Sequence, residues 1–106
     1  MSSTTSSPGV ALITGSAKGI GRAIALRLAK SGYDIGLNDL PAASEALDAL
    51  GREIASLGRR SYIALGAVSV PETVESMVSS VAEHLGQLDV VSHNAETKHS
   101  QILTHA

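Results

Sequence analysis

Thr14-Gly15-Ser16-Ala17-Lys18-Gly19-Ile20-Gly21 is the stretch on which the fold turns. It follows Val10-Ala11-Leu12-Ile13, an apolar run with β-branched residues that suits a strand buried on both faces. It leads into a segment where Ile20, Ile24 and Leu28 recur every four residues, flanked by Ala23, Ala25 and Ala29 and stopped by Ser31-Gly32. That spacing predicts a helix. Glycines four and two apart at a strand-to-helix turn are what a diphosphate needs. Gly15 can reverse the chain through a backbone angle closed to other residues. Gly19 leaves the main chain bare to an approaching anion, and Gly21 lets the helix lie close on the sheet. The helix start adds unpaired N–H groups and a positive dipole end. The stretch predicts a nucleotide-phosphate site; the competing reading is a glycine-rich turn that binds nothing.

Outward from this turn, strand and helix signals alternate. Asp34-Ile35-Gly36-Leu37-Asn38-Asp39 reads as a second strand. Pro41 stands just inside a second helix with Leu47, Leu50, Ile54 and Leu57 on its apolar face. Tyr62 to Leu65, reaching Val68, is a third strand, and Ser69 with Glu72 resembles a capping box opening a third helix. That helix turns Val74, Val78, Val81 and Leu85 inward and stops at Gly86, and Leu88 to Val91 is a fourth apolar run. Such alternation calls for parallel strands joined by right-handed crossovers. Two crossovers one way and a third reversing across the first strand predict an open α/β sheet in the order 3-2-1-4. A ligand crevice is then expected at the switch between strands 1 and 4. Strand 4 is expected as an exposed apolar edge that invites another chain. Residues 97–106 are polar and without period and are expected to be coil, and the Ser/Thr-rich residues 1–8 a disordered lead-in.

Composition narrows the classes of function. A chain of 106 residues with 43% hydrophobic content is one small domain. Its only aromatics are Tyr33 and Tyr62, so the core must be aliphatic. A net charge of −2 argues against a nucleic-acid partner, and zero cysteines exclude disulfide and thiolate chemistry. No apolar run reaches the roughly 18 residues needed to span a bilayer, and a cytoplasmic location is expected. His84, His93, His99 and His105 lack zinc-type spacing, so no metal is expected. Neither Ser16 nor Ser69 has a matching His and acid for a hydrolytic triad.

Asp39 lies 18 residues beyond Gly21, at the carboxyl end of the second strand. An acid there can accept both hydroxyls of an adenosine ribose and would repel a 2′-phosphate, favouring NAD over NADP. Asp39 also suits an N-cap for the next helix. Lys18 and Arg22 beside the glycine loop are cations that would suit NADP.

The glycine spacing resembles the T-G-x-x-x-G-x-G of the short-chain dehydrogenases/reductases. So do the Asn38-Asp39-Leu40-Pro41 corner and Gly86-Gln87-Leu88-Asp89-Val90-Val91. The resemblance runs from Val10 to Ala95 and is closest to NAD-preferring diacetyl/acetoin reductase-like and 3-oxoacyl reductase-like members. It implies a Rossmann-type three-layer fold: an incomplete NAD(P)-binding domain over residues 9–96, followed by a tail, 97–106, outside the family pattern. It implies that Thr14, Gly15, Ser16, Lys18, Gly19, Ile20 and Gly21 form the dinucleotide loop and that Asp39 takes the ribose. Val68 would then meet the adenine, and Asn94-Ala95 the adenosine half.

Three positions depart from the family: Ala67 for the acid before Val68, His93 for the first Asn of N-N-A-G, and Glu96 for its Gly. The family's catalytic Tyr-x-x-x-Lys is also not matched. Tyr33 is followed at that spacing by Leu37, and Tyr62 by Gly66, so no residue here is assigned a catalytic role. The resemblance thus implies the cofactor half of an oxidoreductase moving hydride between a nicotinamide cofactor and a small carbonyl or alcohol, inactive alone. Two alternatives stand: a non-catalytic relative that pairs through its strand-4 edge, or a fragment without function.

Overall fold

The computed structural model describes residues 8–94 and 100–104. Of the expected lead-in only Pro8 falls within them. Five strands, β1 (Val10–Ile13), β2 (Asp34–Asp39), β3 (Ser61–Leu65), β4 (Val90–Asn94) and β5 (Ser100–Thr104), alternate at first with three helices. These are α1 (Gly19–Lys30), α2 (Ser44–Ser56) and α3 (Pro71–Leu85), and a 3-10 turn at Pro41–Ala43 leads into α2. The sheet order is β3-β2-β1-β4-β5. Its first four strands are parallel and stand in the order expected from the crossovers.

The tail departs from expectation. Ser100–Thr104 is a strand, antiparallel to β4, running from Val90 opposite Thr104 to Asn94 opposite Ser100. The expected coil over that stretch and the bare strand-4 edge are both corrected by this pairing. Its physical reason is that an edge strand offers a row of unpaired N–H and C=O groups, and any extended backbone can satisfy them without apolar alternation.

Helices cover both faces of the sheet over β1, β2 and β3. Ala11, Ile13, Ile35 and Leu37 pack with Ala25, Ala29, Leu47, Leu50 and Ile54 under α1 and α2. Val10, Leu12 and Ala64 pack with Met77, Val81 and Leu85 under α3. The apolar face of α1 is rotated from the one expected. Gly21, Ala25 and Ala29 are its buried residues, Ile24 and Leu28 flank them, and Ile20 is 68% exposed. Small residues four apart let the helix axis approach the sheet, which a stripe of Ile and Leu would hold off. In α2, Leu57 lies past the last turn and is 40% exposed. The Ser69 capping box does not form: Val70 is the N-cap of α3, Pro71 opens the helix, and no side chain caps it.

The amino end of the sheet is locked by charge. Asp34, 2% exposed, accepts from both guanidiniums of Arg59 and Arg60 and from the Arg60 amide. Burial pushes its carboxyl up, but the Arg60 amide, both guanidiniums and the Arg59 charge outweigh this and hold it below the ordinary aspartate value. Among the described residues no helix is long and apolar enough to cross a membrane.

Candidate functional site

The turn between β1 and α1 is built almost entirely of main chain. Gly15 and Gly19 take φ of 61° and 63°, in the left-handed region that glycine enters freely. A Cβ on Gly19 would meet nothing within 4 Å, so the main chain there opens onto free space. A Cβ on Gly21 would lie 2.1 Å from the carbonyl oxygen of Gly15, so the helix closes onto the turn only because that atom is missing. Lys18, the N-cap of α1, makes no side-chain cap, and the first turn carries no acid. The positive end of α1 therefore meets a bare glycine approach, with the exposed Ile20 beside it.

The carboxyl end of β2 grips this turn from one side. The Ser16 amide donates to the Asn38 carbonyl at 2.8 Å, and its hydroxyl donates to the same oxygen at 3.1 Å. The Asn38 amide donates back to the Ser16 hydroxyl at 3.1 Å. Ser16 is fully buried, with its amide and hydroxyl both engaged with Asn38 beneath the loop. Asp39 accepts the Ala17 amide at 3.1 Å on one oxygen and the Leu40 amide at 2.8 Å on the other. It does not cap the following turn, whose N-cap is Leu40 with no side-chain bond. Each carboxylate oxygen keeps acceptor capacity beyond the one amide it holds.

β4 grips the turn from the other side. The Thr14 amide donates to the Ser92 carbonyl at 3.0 Å, and the Thr14 hydroxyl lies 3.2 Å from His93 Nδ1. Thr14 is buried, so it too holds the loop in place. Val68 stands half-buried in the β3–α3 connection, packed against the α3 side of the core. That connection joins the site through Gly66, whose amide donates to the Asp39 carbonyl at 3.1 Å. Asn94 is the last residue of β4; Ala95 and Glu96 lie outside the described residues. Lys18 is exposed at the helix start, whereas Arg22 forms an ion pair with Glu53 of α2. Tyr33 packs on the α1–α2 side, and Tyr62 stacks on His84 with centroids 4.0 Å apart.

The fold and turn have counterparts among known proteins. A family model described as short chain dehydrogenase matches residues 9–105. The chain belongs to the short-chain dehydrogenase family. A short-chain dehydrogenase/reductase of Armillaria gallica is 49% identical over 96 residues, covering 90% of this chain and 37% of that protein. Among solved members, carveol dehydrogenase from Mycobacterium avium in complex with NAD superposes with a TM-score of 0.76 at 34% identity. That match covers 84% of this chain and 36% of the other. An alcohol dehydrogenase from the archaeon Thermococcus sibiricus, complexed with 5-hydroxy-NADP, gives a TM-score of 0.71 at 36% identity, covering 78% of this chain and 35% of the other. The chain thus spans little more than a third of the length of these short-chain dehydrogenases.

Proposed function

We propose that this chain binds a nicotinamide adenine dinucleotide at the β1–α1 turn and supplies the cofactor half of a short-chain dehydrogenase acting on a small carbonyl or alcohol. The observation that carries the reading is the open, left-handed Gly19 in front of an uncapped helix start. That is a cradle any side chain would encroach on, and it fits a diphosphate. The main chain of Gly15, Gly19, Ile20 and Gly21 would hold the diphosphate, with Lys18 adding positive charge at its rim. Asp39 would accept the ribose hydroxyls on the acceptor capacity its two amides leave, with Val68 and the Asn94-Ala95 segment toward the adenosine. Thr14 and Ser16 serve by holding the loop. When bound, the nicotinamide ring supplies a hydride acceptor or donor.

NAD is favoured over NADP in this reading. Asp39 would meet a 2′-phosphate with like charge. Of the two cations beside the loop, Arg22 is already paired with Glu53. We assign the nucleotide-binding unit to residues 9–96 and its setting to the cytoplasm. The pairing of β5 on β4 removes the open edge on which a partner-binding reading depended. Calorimetric titration with NAD, NADH and NADP tests the proposal: NAD and NADH should bind more tightly than NADP, and absence of binding by all three overturns it.

A further inference from the structure

Asn38 is 1% exposed at the carboxyl end of β2, and its main chain and its side-chain amide nitrogen reach two different connections. Its main chain holds the glycine turn, accepting from the Ser16 amide and exchanging bonds with the Ser16 hydroxyl. Its side-chain amide points the other way in the sheet. Nδ2 donates to the carbonyl of Ala64 at 3.0 Å and of Gly66 at 3.1 Å, with Met77 Sδ at 2.9 Å. Gly66 opens the connection that carries Val68. It takes φ of 151°, and a Cβ there would lie 2.5 Å from Thr73 Cγ2, so this connection is held tightly against α3. The two Nδ2 protons are shared among these three acceptors, two of which are main-chain carbonyls of the same stretch.

We propose that Asn38 is a positioning residue that ties the phosphate side of the site to its adenosine side. Its main chain sets the loop at Ser16, and its side chain sets the loop at Gly66. This rests on the dinucleotide reading given above. It also separates the two halves by experiment, because a substitution at Asn38 removes only the side-chain bonds and leaves the main-chain bonds to Ser16 in place.

Asn38→Leu keeps a similar volume and removes both donors. Titrated well below its melting temperature, so that the chain is folded, N38L should bind NAD and AMP each roughly tenfold more weakly, as expected for two lost bonds to one loop. Amide hydrogen exchange should rise at residues 66–69 while the Ser16 amide keeps its protection. A residue that merely stabilised the fold would lower the melting temperature and leave both affinities unchanged. Should N38L not fold, Asn38→Ser removes the amide without adding bulk and should give the same pattern. Wild-type affinity for NAD and AMP with unaltered exchange at residues 66–69 overturns the proposal. If the unsubstituted chain binds no dinucleotide, the functional reading fails, and the exchange comparison alone still decides the place of Asn38.

Discussion

Gly21 sits on the carbonyl of Gly15: a Cβ at position 21 would lie 2.1 Å from that oxygen, and 3.1 Å from the Ser16 Cα. Both neighbours are backbone and cannot swing aside. Gly21→Ala must therefore lift α1 or distort the turn, at a cost of about 1–3 kcal/mol or more. Denaturant unfolding should show this loss, and an unchanged midpoint would mean that the helix does not close on the turn as described.

Gly19 presents the opposite case. Nothing lies within 4 Å of its would-be Cβ, so Gly19→Val costs mainly the strain of a left-handed β-branched residue, about 1–3 kcal/mol. The added bulk stands in the open approach to the helix start. Titration of folded G19V should find no measurable NAD binding; retained affinity would put the ligand elsewhere.

Asp39 has two tasks that one substitution removes together. Asp39→Ala deletes the acceptor of the Ala17 amide, which should cost about 1–2 kcal/mol in unfolding free energy, and the carboxylate proposed to read the ribose. NAD should bind at least tenfold more weakly, by loss of charge-assisted bonds, and its margin over NADP should shrink. An established NAD preference that survives D39A would show that the ribose is recognised by another group.

The alternation of apolar runs and periodic segments was enough to place four strands and three helices, because each element buries a face whose spacing is written in its own residues. The glycine turn was legible for the same reason, since its constraints are local. What the sequence leaves illegible depends on partners far along the chain. Asn38 read as one more residue of a buried strand, although a polar amide in a strand without a polar face is itself a signal that both donors are used inside. Asp34 and Arg59-Arg60 gave no local pattern, for their contact exists only once β2 and β3 are side by side. Ser100–Thr104 carries no strand signal of its own, because its pairing with β4 is main chain to main chain and leaves little trace in side-chain type.

That last pairing has its own consequence. Removing residues 100–106 would strip β4 of its antiparallel neighbour and leave its outer N–H and C=O groups unpaired. Sedimentation velocity should then show a shift to larger species with rising concentration that exceeds any shown by the intact chain. Identical behaviour of the two would indicate that β5 contributes nothing to shielding the edge.

Asp34 gives stability a dependence on acid that can be worked out in sign. Its carboxyl is held below the ordinary value of 3.8 in the folded chain. Below that ordinary value the unfolded chain takes up a proton that the folded one resists, so unfolding is favoured as pH falls. The stabilisation is whole above pH 3.8 and fades as pH drops through the folded value. Asp34→Asn cannot titrate and should flatten the acid limb of the melting curve. At neutral pH it should also lower stability by about 1–3 kcal/mol, toward the smaller figure because Arg60 is 62% exposed and can turn to water. Thermal melts of both proteins from pH 7 to pH 3 check this: parallel acid limbs would mean that another carboxylate carries the dependence.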